Sequence, residues 1–287
     1  MSASLSIKKK INNFDKIITV SGDKSISIRW VLFSSLANGV SSAKNLLKSE
    51  DVIAALKVIK KFGIKSKINK DQCKIYGRGF NGYKYKKNIT IDAANSGTLG
   101  RLILGLLINT PYPIKLIGDK SLSKRDFKRI SDPLSEFGAK FKLKKKKYLP
   151  LTIHGGHKLK KIKYIETRGS AQCKSSVIFG GMRSDGTSII KAKKSRNHTE
   201  ILCKHLNLPV KIKTNKNYDE IKVSKVKNIK PINYNIPSDI SSCAFFIVLT
   251  ALSNNSKLLL KNVSVNSSRD GVIKILKKMG VKITYKN

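Results

Sequence analysis

The segment Ser21-Gly22-Asp23-Lys24-Ser25-Ile26-Ser27-Ile28-Arg29 predicts a turn that leads directly into a helix. The Gly-Asp pair forms the turn, and Ser25 or Ser27 is predicted to cap the helix. Because a helix N-terminus presents free N–H groups and Lys24 and Arg29 add positive charge, the segment predicts an anion site, with phosphate as the favoured anion. An ordinary capped helix with solvated cations accounts for this segment alone equally well.

The same pattern recurs along the chain at intervals of about 71 to 75 residues. Small polar clusters that open apolar helices recur at Ser25, Ser96, Ser170 and Ser241, and helix-ending turns occur at Gly63, Gly138, Pro209 and Gly280. We therefore expect an α/β fold (α+β in some schemes) of repeated βαβαββ-type units. Equivalent helices are expected to point their N-termini the same way, so that several converge on one cationic cleft.

The composition suggests a chain of about two domains with an unusual charge. The 287 residues are 40% hydrophobic, which allows a sizeable core, and the net charge is +42. A basic chain suggests nucleic-acid binding, but fifty of the cations are lysines spread over every segment and nine are arginines. We interpret this as a compositional bias and predict no dedicated nucleic-acid binding.

That bias makes the arginines informative, because a guanidinium binds anions in a planar, bidentate way that an ammonium does not. Five arginines lie in polar stretches at predicted element ends: Arg29, Arg101, Arg125, Arg196 and Arg269.

The cysteines indicate a reducing compartment. Cys73, Cys173, Cys203 and Cys243 form no C-x-x-C pair, and we predict buried, reduced thiols in a cytoplasmic protein. The longest nearly unbroken apolar run, 243–252, is too short to span a bilayer. The sequence has no signal region, no paired-His metal motif and no Walker-type loop, so we expect no membrane association, no metal and no cofactor.

Seven motifs occur in the order and at the intervals typical of one family. Residues 22–29 resemble G-[DS]-K-S-x-S-x-R, 95–101 N-[AS]-G-T-x-x-R, 118–125 G-D-x-S-L-x-x-R, 170–175 S-A-Q-x-K-S, 195–200 S-R-[DN]-H-T-E, 238–242 G-D-I-S-S and 266–271 N-x-x-R-x-G. Over essentially its whole length the chain resembles the 3-phosphoshikimate 1-carboxyvinyltransferases, also called EPSP synthases.

The resemblance implies an enolpyruvyl transferase of the shikimate pathway, which leads to chorismate and the aromatic amino acids. The enolpyruvyl group of phosphoenolpyruvate moves to the 5-hydroxyl of shikimate-3-phosphate, and phosphate is released. The reaction proceeds by addition and elimination through a tetrahedral intermediate. Both substrates are multiply anionic, which agrees with cations gathered at helix N-termini.

The resemblance also implies which residues form the site. Lys24 is expected to contact both substrates and is the one catalytic residue of the family that we find in this sequence. Shikimate-3-phosphate is expected to contact Lys24, Ser25, Arg29, Ser170, Ala171, Gln172, Ser195 and Arg196. Phosphoenolpyruvate is expected to contact Lys24, Asn95, Gly97, Arg125 and Gln172.

Three positions depart from the family pattern. Ile28 stands where His or Asn is usual, and Ser238 stands where Gly is usual. Asp126 stands where Pro usually follows the arginine, and its carboxylate is expected to weaken a phosphate contact of Arg125.

The resemblance further implies a domain arrangement. The family has six repeated units in two domains, and this sequence matches the first four. Residues 19–236 are therefore expected to form a complete three-unit domain, and 1–18 with 237–287 part of a second. The other catalytic residues of the family, an Asp, a Glu, a Lys and two Arg, belong to the unmatched units. We expect a monomer that does not turn over substrate alone.

Two alternative functions remain from the sequence. The UDP-N-acetylglucosamine enolpyruvyl transferases share the fold, but they use a cysteine in the loop at 118–125, where this chain has none, and Lys-Asn in the first motif. The other alternative is a non-catalytic binder, either of shikimate-3-phosphate or, through charge, of nucleic acid.

Overall fold

The computed structural model describes residues 6, 11, 13–70 and 72–285. The first repeat contains β1 (Asp15–Ile18), α1 (Lys24–Leu36), β2 (Asn38–Lys44), α2 (Glu50–Lys61), β3 (Lys65–Ile68) and β4 (Gln72–Arg78). The second contains β5 (Ile89–Asp92), α3 (Gly97–Leu106), β6 (Ile114–Ile117), the short 3₁₀ helix Leu122–Lys124, α4 (Lys128–Glu136), β7 (Lys140–Lys144) and β8 (Tyr148–His154).

The third repeat contains β9 (Lys163–Glu166), α5 (Ala171–Gly181), β10 (Thr187–Lys193), α6 (His198–His205), β11 (Val210–Thr214) and β12 (Tyr218–Ser224). The fourth contains β13 (Asn233–Asn235), α7 (Ile240–Leu252), β14 (Lys257–Leu260) and α8 (Gly271–Lys278). The predicted α/β class and the βαβαββ unit are thus confirmed for three repeats, and the described part of the fourth has the order βαβα.

Three sheets share one strand order. In each, the first and second strands of a repeat are parallel and the fourth strand lies antiparallel between the second and the third, which gives β5-β6-β8-β7, β9-β10-β12-β11 and β13-β2-β4-β3. The first-strand position of the first repeat is occupied by β13 rather than by β1. Strand β1 pairs in parallel with β14, with Asp15 opposite Lys257.

This strand exchange divides the chain into two compact units. One consists of Met1–Asp23 with Pro237–Asn287, and the other of Lys24–Ile236. Each has its own core. That of the smaller unit is centred on Ile240, Cys243 and Ile273.

The larger unit is built around three buried helices. Nearly all residues of α1, α3 and α5 beyond their first turns are buried, which is typical of helices enclosed on every side. They pack on one another, with the rings of Phe33 and Phe179 5.0 Å apart. A Cβ built on Gly105 of α3 would lie 2.1 Å from the carbonyl oxygen of Ser176 on α5, so the two backbones touch at this crossing.

The start of α1 differs from the sequence prediction. The helix begins at Lys24, so Ser25 and Ser27 lie in its first turn and neither is the cap. The Ser27 hydroxyl instead accepts a hydrogen bond from the backbone N–H of Leu47, at 3.2 Å. The physical reason is that Gly22 and Asp23 complete the turn one residue before Lys24, which leaves the serines inside the helix. The equivalent helices α3 and α5 are capped by Ser96 and Ser170.

Helix α7 carries an apolar face that the described residues leave open. The side chains of Phe245 and Leu252 are 79% and 81% exposed, and Phe246, Val248 and Leu249 are also exposed. No helix in the described part of the chain combines the length and the apolar character needed to cross a membrane.

All four cysteines are buried free thiols, as predicted. Burial raises the pKa of Cys73 from 9.0 to about 11. In the unfolded chain this thiol ionises near its ordinary value, so the folded state binds the proton more tightly. The resulting stability is complete below pH 9 and is lost as the pH rises toward 11.

We therefore expect the free energy of unfolding to fall more steeply from pH 9 to 11 in the parent than in Cys73→Ala, by about 1–2 kcal/mol. Urea unfolding of both proteins at several pH values measures this difference. Because both proteins contain the same lysines, the contribution of lysine titration cancels when the two curves are subtracted. Parallel curves for the two proteins would contradict the prediction.

Candidate functional site

The N-terminal turns of three helices meet at Arg29, whose side chain is buried. Its Nε donates to Thr199 Oγ1 at 2.7 Å, and its Nη2 donates to Ser175 Oγ at 3.1 Å. Its Nη1 donates to the carbonyl oxygen of Ser25 at 3.0 Å. Thr199 Oγ1 also donates to Ser175 Oγ, at 2.7 Å. Arg29 of α1, Ser175 of α5 and Thr199 of α6 therefore form a closed triangle of polar contacts.

A second set of contacts joins α5 to α3. Gln172 Nε2 donates to Thr98 Oγ1 at 3.1 Å, and Arg101 Nη1 donates to Gln172 Oε1. Burial, and next the nearby charge of Arg129, lowers the pKa of Arg101 from 12.5 to about 10. Arg101 is therefore still a cation at neutral pH. The predicted convergence of helix N-termini is observed here for α1, α3 and α5.

Three of the five residues expected at phosphoenolpyruvate, Asn95, Gly97 and Arg125, lie together beside α3. Arg125 Nη2 donates to Asn95 Oδ1 at 3.1 Å, and a Cβ built on Gly97 would lie 2.8 Å from Arg125 Nη1. Asn95 Nδ2 donates in turn to Asp119 Oδ2 at 2.6 Å. The Asp119 carboxylate also accepts the backbone N–H of Leu122, and this hydrogen bond is the main cause that lowers its pKa. Thus Asp119 is an anion that orients the Asn95 amide, which in turn holds Arg125.

The remaining predicted residues lie at the starts of α1, α5 and α6. Lys24 is exposed, and its Nζ lies 3.4 Å from Asp51 Oδ2. Ser170 accepts the backbone N–H of Cys173 as the cap of α5, and the buried Ala171 follows it. The residues Ser195 and Arg196 precede α6, where Arg196 is exposed and Ser195 Oγ is buried without a hydrogen-bond partner among the described residues.

The departures from the family pattern have structural explanations. Ile28 is fully buried in the core, and Ser238 donates its hydroxyl to the carbonyl oxygen of Val20 at 2.7 Å. The carboxylate of Asp126 lies 3.8 Å from Lys147 Nζ. Because this lysine offsets the added negative charge, the expected weakening of Arg125 by Asp126 is reduced.

A buried ion pair beside the Arg29 triangle has no role among the sequence predictions. Lys174 Nζ of α5 lies 2.6 Å from Glu200 Oε1 of α6, and the two side chains are 0% and 4% exposed. Lys174 stands in the motif 170–175 and Glu200 in the motif 195–200, but their separation in the chain gives no sign that they meet. Thr98 was likewise unassigned, and Arg101 was noted only as an arginine in a lysine-rich chain.

The site offers cations, hydroxyls and helix N-termini rather than metal ligands. Within the described residues, no three His, Cys, Asp or Glu side chains are grouped so that they could hold a metal ion. Arg125, Lys24 and Arg196 expose charged groups near helix N-termini, which is a favourable arrangement for binding phosphate and carboxylate groups. Fixed donors of this kind can also stabilise negative charge that develops during a reaction.

The chain is similar in sequence and in structure to known proteins. The family model of EPSP synthase (3-phosphoshikimate 1-carboxyvinyltransferase) matches residues 8–287. A 3-phosphoshikimate 1-carboxyvinyltransferase from Caldicellulosiruptor bescii is 40% identical over 99% of this chain, and one from Leuconostoc mesenteroides is 38% identical over 97%. A solved EPSP synthase from Acinetobacter baumannii superposes with a TM-score of 0.89 at 34% identity, over 97% of this chain and 62% of that structure.

The matches leave part of each relative uncovered. The chain spans 64% of the C. bescii relative and 63% of the L. mesenteroides relative, which is less than two thirds. The repeated unit, the seven motifs and the family-model match over 8–287 nevertheless lead to one conclusion. The chain belongs to the EPSP synthase family.

Proposed function

We propose that this chain carries the shikimate-3-phosphate site of an enolpyruvyl transferase. The complete enzyme would transfer the enolpyruvyl group of phosphoenolpyruvate to the 5-hydroxyl of shikimate-3-phosphate and release phosphate. The observation that carries the proposal is the hydrogen-bonded set that joins the N-termini of α1, α3, α5 and α6 within the unit Lys24–Ile236. Ser25, Arg29 and Gln172, which the sequence assigned to the substrates, belong to that set.

The proposed binding roles follow the sequence assignment. Lys24, Ser25, Arg29, Ser170, Ala171, Gln172, Ser195 and Arg196 serve shikimate-3-phosphate, and Lys24, Asn95, Gly97, Arg125 and Gln172 serve phosphoenolpyruvate. Gln172, which contacts Thr98 beside Gly97, connects the two groups. Arg29 acts mainly by fixing Ser25, Ser175 and Thr199, because its donors point to protein acceptors.

Two further proposals concern the chain as a whole. We take residues 19–236 as the complete domain, since the unit Lys24–Ile236 encloses its own core, and 1–18 with 237–287 as part of another. The buried free thiols support a cytoplasmic protein.

The test uses calorimetry and a phosphate-release assay. We expect the 287-residue chain to bind shikimate-3-phosphate but to release no phosphate from phosphoenolpyruvate. Turnover that depends on both substrates is expected when a second polypeptide supplies the part of the C. bescii relative outside the matched region. Failure to bind shikimate-3-phosphate, together with salt-sensitive binding of DNA, would favour the nucleic-acid alternative instead.

Gly97→Ala is expected to weaken phosphoenolpyruvate binding and to weaken binding of glyphosate, which resembles it in shape and charge, more strongly. The added methyl would displace the Arg125 guanidinium, whose Nη1 lies 2.8 Å from the built Cβ. Because Arg125 is flexible and exposed, the free energy of unfolding should change by no more than about 1 kcal/mol.

Gly271→Ala is the matched control. Gly271 also begins a helix, α8, but a Cβ there has no atom within 4 Å. Inhibition constants for glyphosate in the complemented enzyme measure the effect. Equal inhibition of the parent and Gly97→Ala would show that Gly97 does not face the ligand.

A further inference from the structure

Burying the ion pair between Lys174 and Glu200 costs free energy. The contact is 2.6 Å long and both side chains are nearly inaccessible to water. Lys174 Nζ and both carboxylate oxygens of Glu200 have no hydrogen-bond partner among the described residues. Taking two charges out of water costs more than their attraction returns unless further hydrogen bonds satisfy them. Stability alone is therefore a poor explanation for this pair.

The position of the pair suggests what it does. Lys174 is followed by Ser175, and Glu200 is preceded by Thr199, which are the two hydroxyl residues that hold Arg29. Two adjacent polar contacts, Lys174 with Glu200 and Ser175 with Thr199, therefore join α5 to α6 at one level. Because the Ser175–Thr199 hydrogen bond is directional and the ion pair holds its two charges 2.6 Å apart, the two contacts restrict the sliding and the rotation of α6 against α5 more than apolar packing would.

In both helices, predicted ligand residues lie just N-terminal to these two contacts. Ser170, Ala171 and Gln172 stand at the start of α5, and Ser195 and Arg196 precede α6. A shift of α6 would move Ser195 and Arg196 relative to the α5 residues. When one rigid ligand contacts residues of both helices, its affinity depends steeply on the distance between the two sets of residues.

We propose that Lys174 and Glu200 are positioning residues that hold Ser195 and Arg196 at the separation from the α5 N-terminus that shikimate-3-phosphate requires. This inference rests on the proposed function for the identity of the ligand. It assigns a role to two side chains that contact no substrate themselves. It also predicts that the pair acts on ligand affinity and on local order at 195–200 together.

The test compares four variants of the 287-residue chain by calorimetry with shikimate-3-phosphate and by amide hydrogen exchange. Glu200→Gln removes one charge at nearly constant shape, and Lys174→Met/Glu200→Leu removes both. The swap Lys174→Glu/Glu200→Lys restores a pair of opposite charges. Asp185→Asn is the matched control, because its pair with Lys225 is also 2.6 Å long but lies exposed on the surface.

We expect Glu200→Gln and the double apolar variant to lose affinity for shikimate-3-phosphate on the order of tenfold, with the swap recovering most of it. Amides at 195–200 should exchange faster in the first two variants, and those of β5 and β6 should not. Asp185→Asn should match the parent in both measurements. If Glu200→Gln fails to fold, the apolar variant, which leaves no unpaired charge, carries the test.

Parental affinity in a folded variant that lacks the pair would overturn the inference. So would a loss of affinity that the swap does not recover, with unchanged exchange at 195–200. If the parent itself does not bind shikimate-3-phosphate, the proposed function fails. The exchange rates at 195–200 then still decide whether the pair orders that segment.

Discussion

Arg29→Lys is expected to lower the free energy of unfolding by about 3 kcal/mol although the charge is kept. The guanidinium donates from three nitrogens to Thr199, Ser175 and Ser25, and the side chain is only 3% exposed. A lysine ammonium is a single point donor, so it cannot reach all three acceptors, and at least one of these buried hydrogen bonds would be lost. Urea unfolding followed by circular dichroism measures the loss.

Arg125→Lys is the matched comparison. Arg125 is exposed and donates one hydrogen bond, to Asn95. Its replacement should change the free energy of unfolding by less than about 0.5 kcal/mol. It should still weaken phosphoenolpyruvate binding, because the bidentate fork is lost. If the two variants are equally stable, Arg29 does not hold the three helix N-termini together.

Gly105→Ala is expected to destabilise the larger unit by at least about 3 kcal/mol. The added methyl would lie 2.1 Å from the carbonyl oxygen of Ser176 and 3.0 Å from Cβ of Phe179, so α3 and α5 would have to move apart. Backbone atoms of two buried helices cannot yield as a flexible side chain does. The shift of the α5 N-terminus should also weaken shikimate-3-phosphate binding in whatever fraction remains folded.

Gly100→Ala on the same helix is the control for this variant. The Cβ there would meet Ala93 at 3.3 Å and Phe127 at 3.4 Å, which small side-chain adjustments relieve. Alanine also favours the helix by up to about 1 kcal/mol, so the net change should stay within about 1 kcal/mol. Thermal unfolding of both variants gives the comparison. A melting temperature of Gly105→Ala near that of Gly100→Ala would mean that the helices are not in backbone contact.

The sequence was sufficient to predict the repeat because its signals are local. Polar clusters such as 95–98 and turns such as Gly138 mark helix starts and ends within a few residues. The exchange of β1 and β13 could not be read in this way. Both strands have the local pattern of a first strand, and only the packing of distant segments decides that β13 joins β2 while β1 joins β14.

In the candidate site too, local sequence signals were predictable, whereas contacts between distant segments were not. Arginine in a lysine-rich chain correctly drew attention to Arg29 and Arg101, which hold the helix N-termini together. The presence of an arginine does not by itself distinguish a ligand-binding side chain from a structural one. The buried Arg183, for example, stacks on Phe80, with its guanidinium carbon 4.4 Å from the ring centre. Lys174 and Glu200 each stand in a motif, but nothing in the sequence indicates that they meet, because contact between α5 and α6 is set by the tertiary fold.

The pairing of β1 with β14 has a consequence for synthesis on the ribosome. Strand β1 leaves the exit tunnel long before its partner, Lys257–Leu260, is synthesised. The sheets of the second and third repeats contain only their own strands and can close while translation continues, whereas β2 also waits for β13. Unpaired strand edges invite association with other chains. The hazard of aggregation during translation is therefore concentrated at β1 and β2, which wait for distant partners, and a slow ribosome prolongs it.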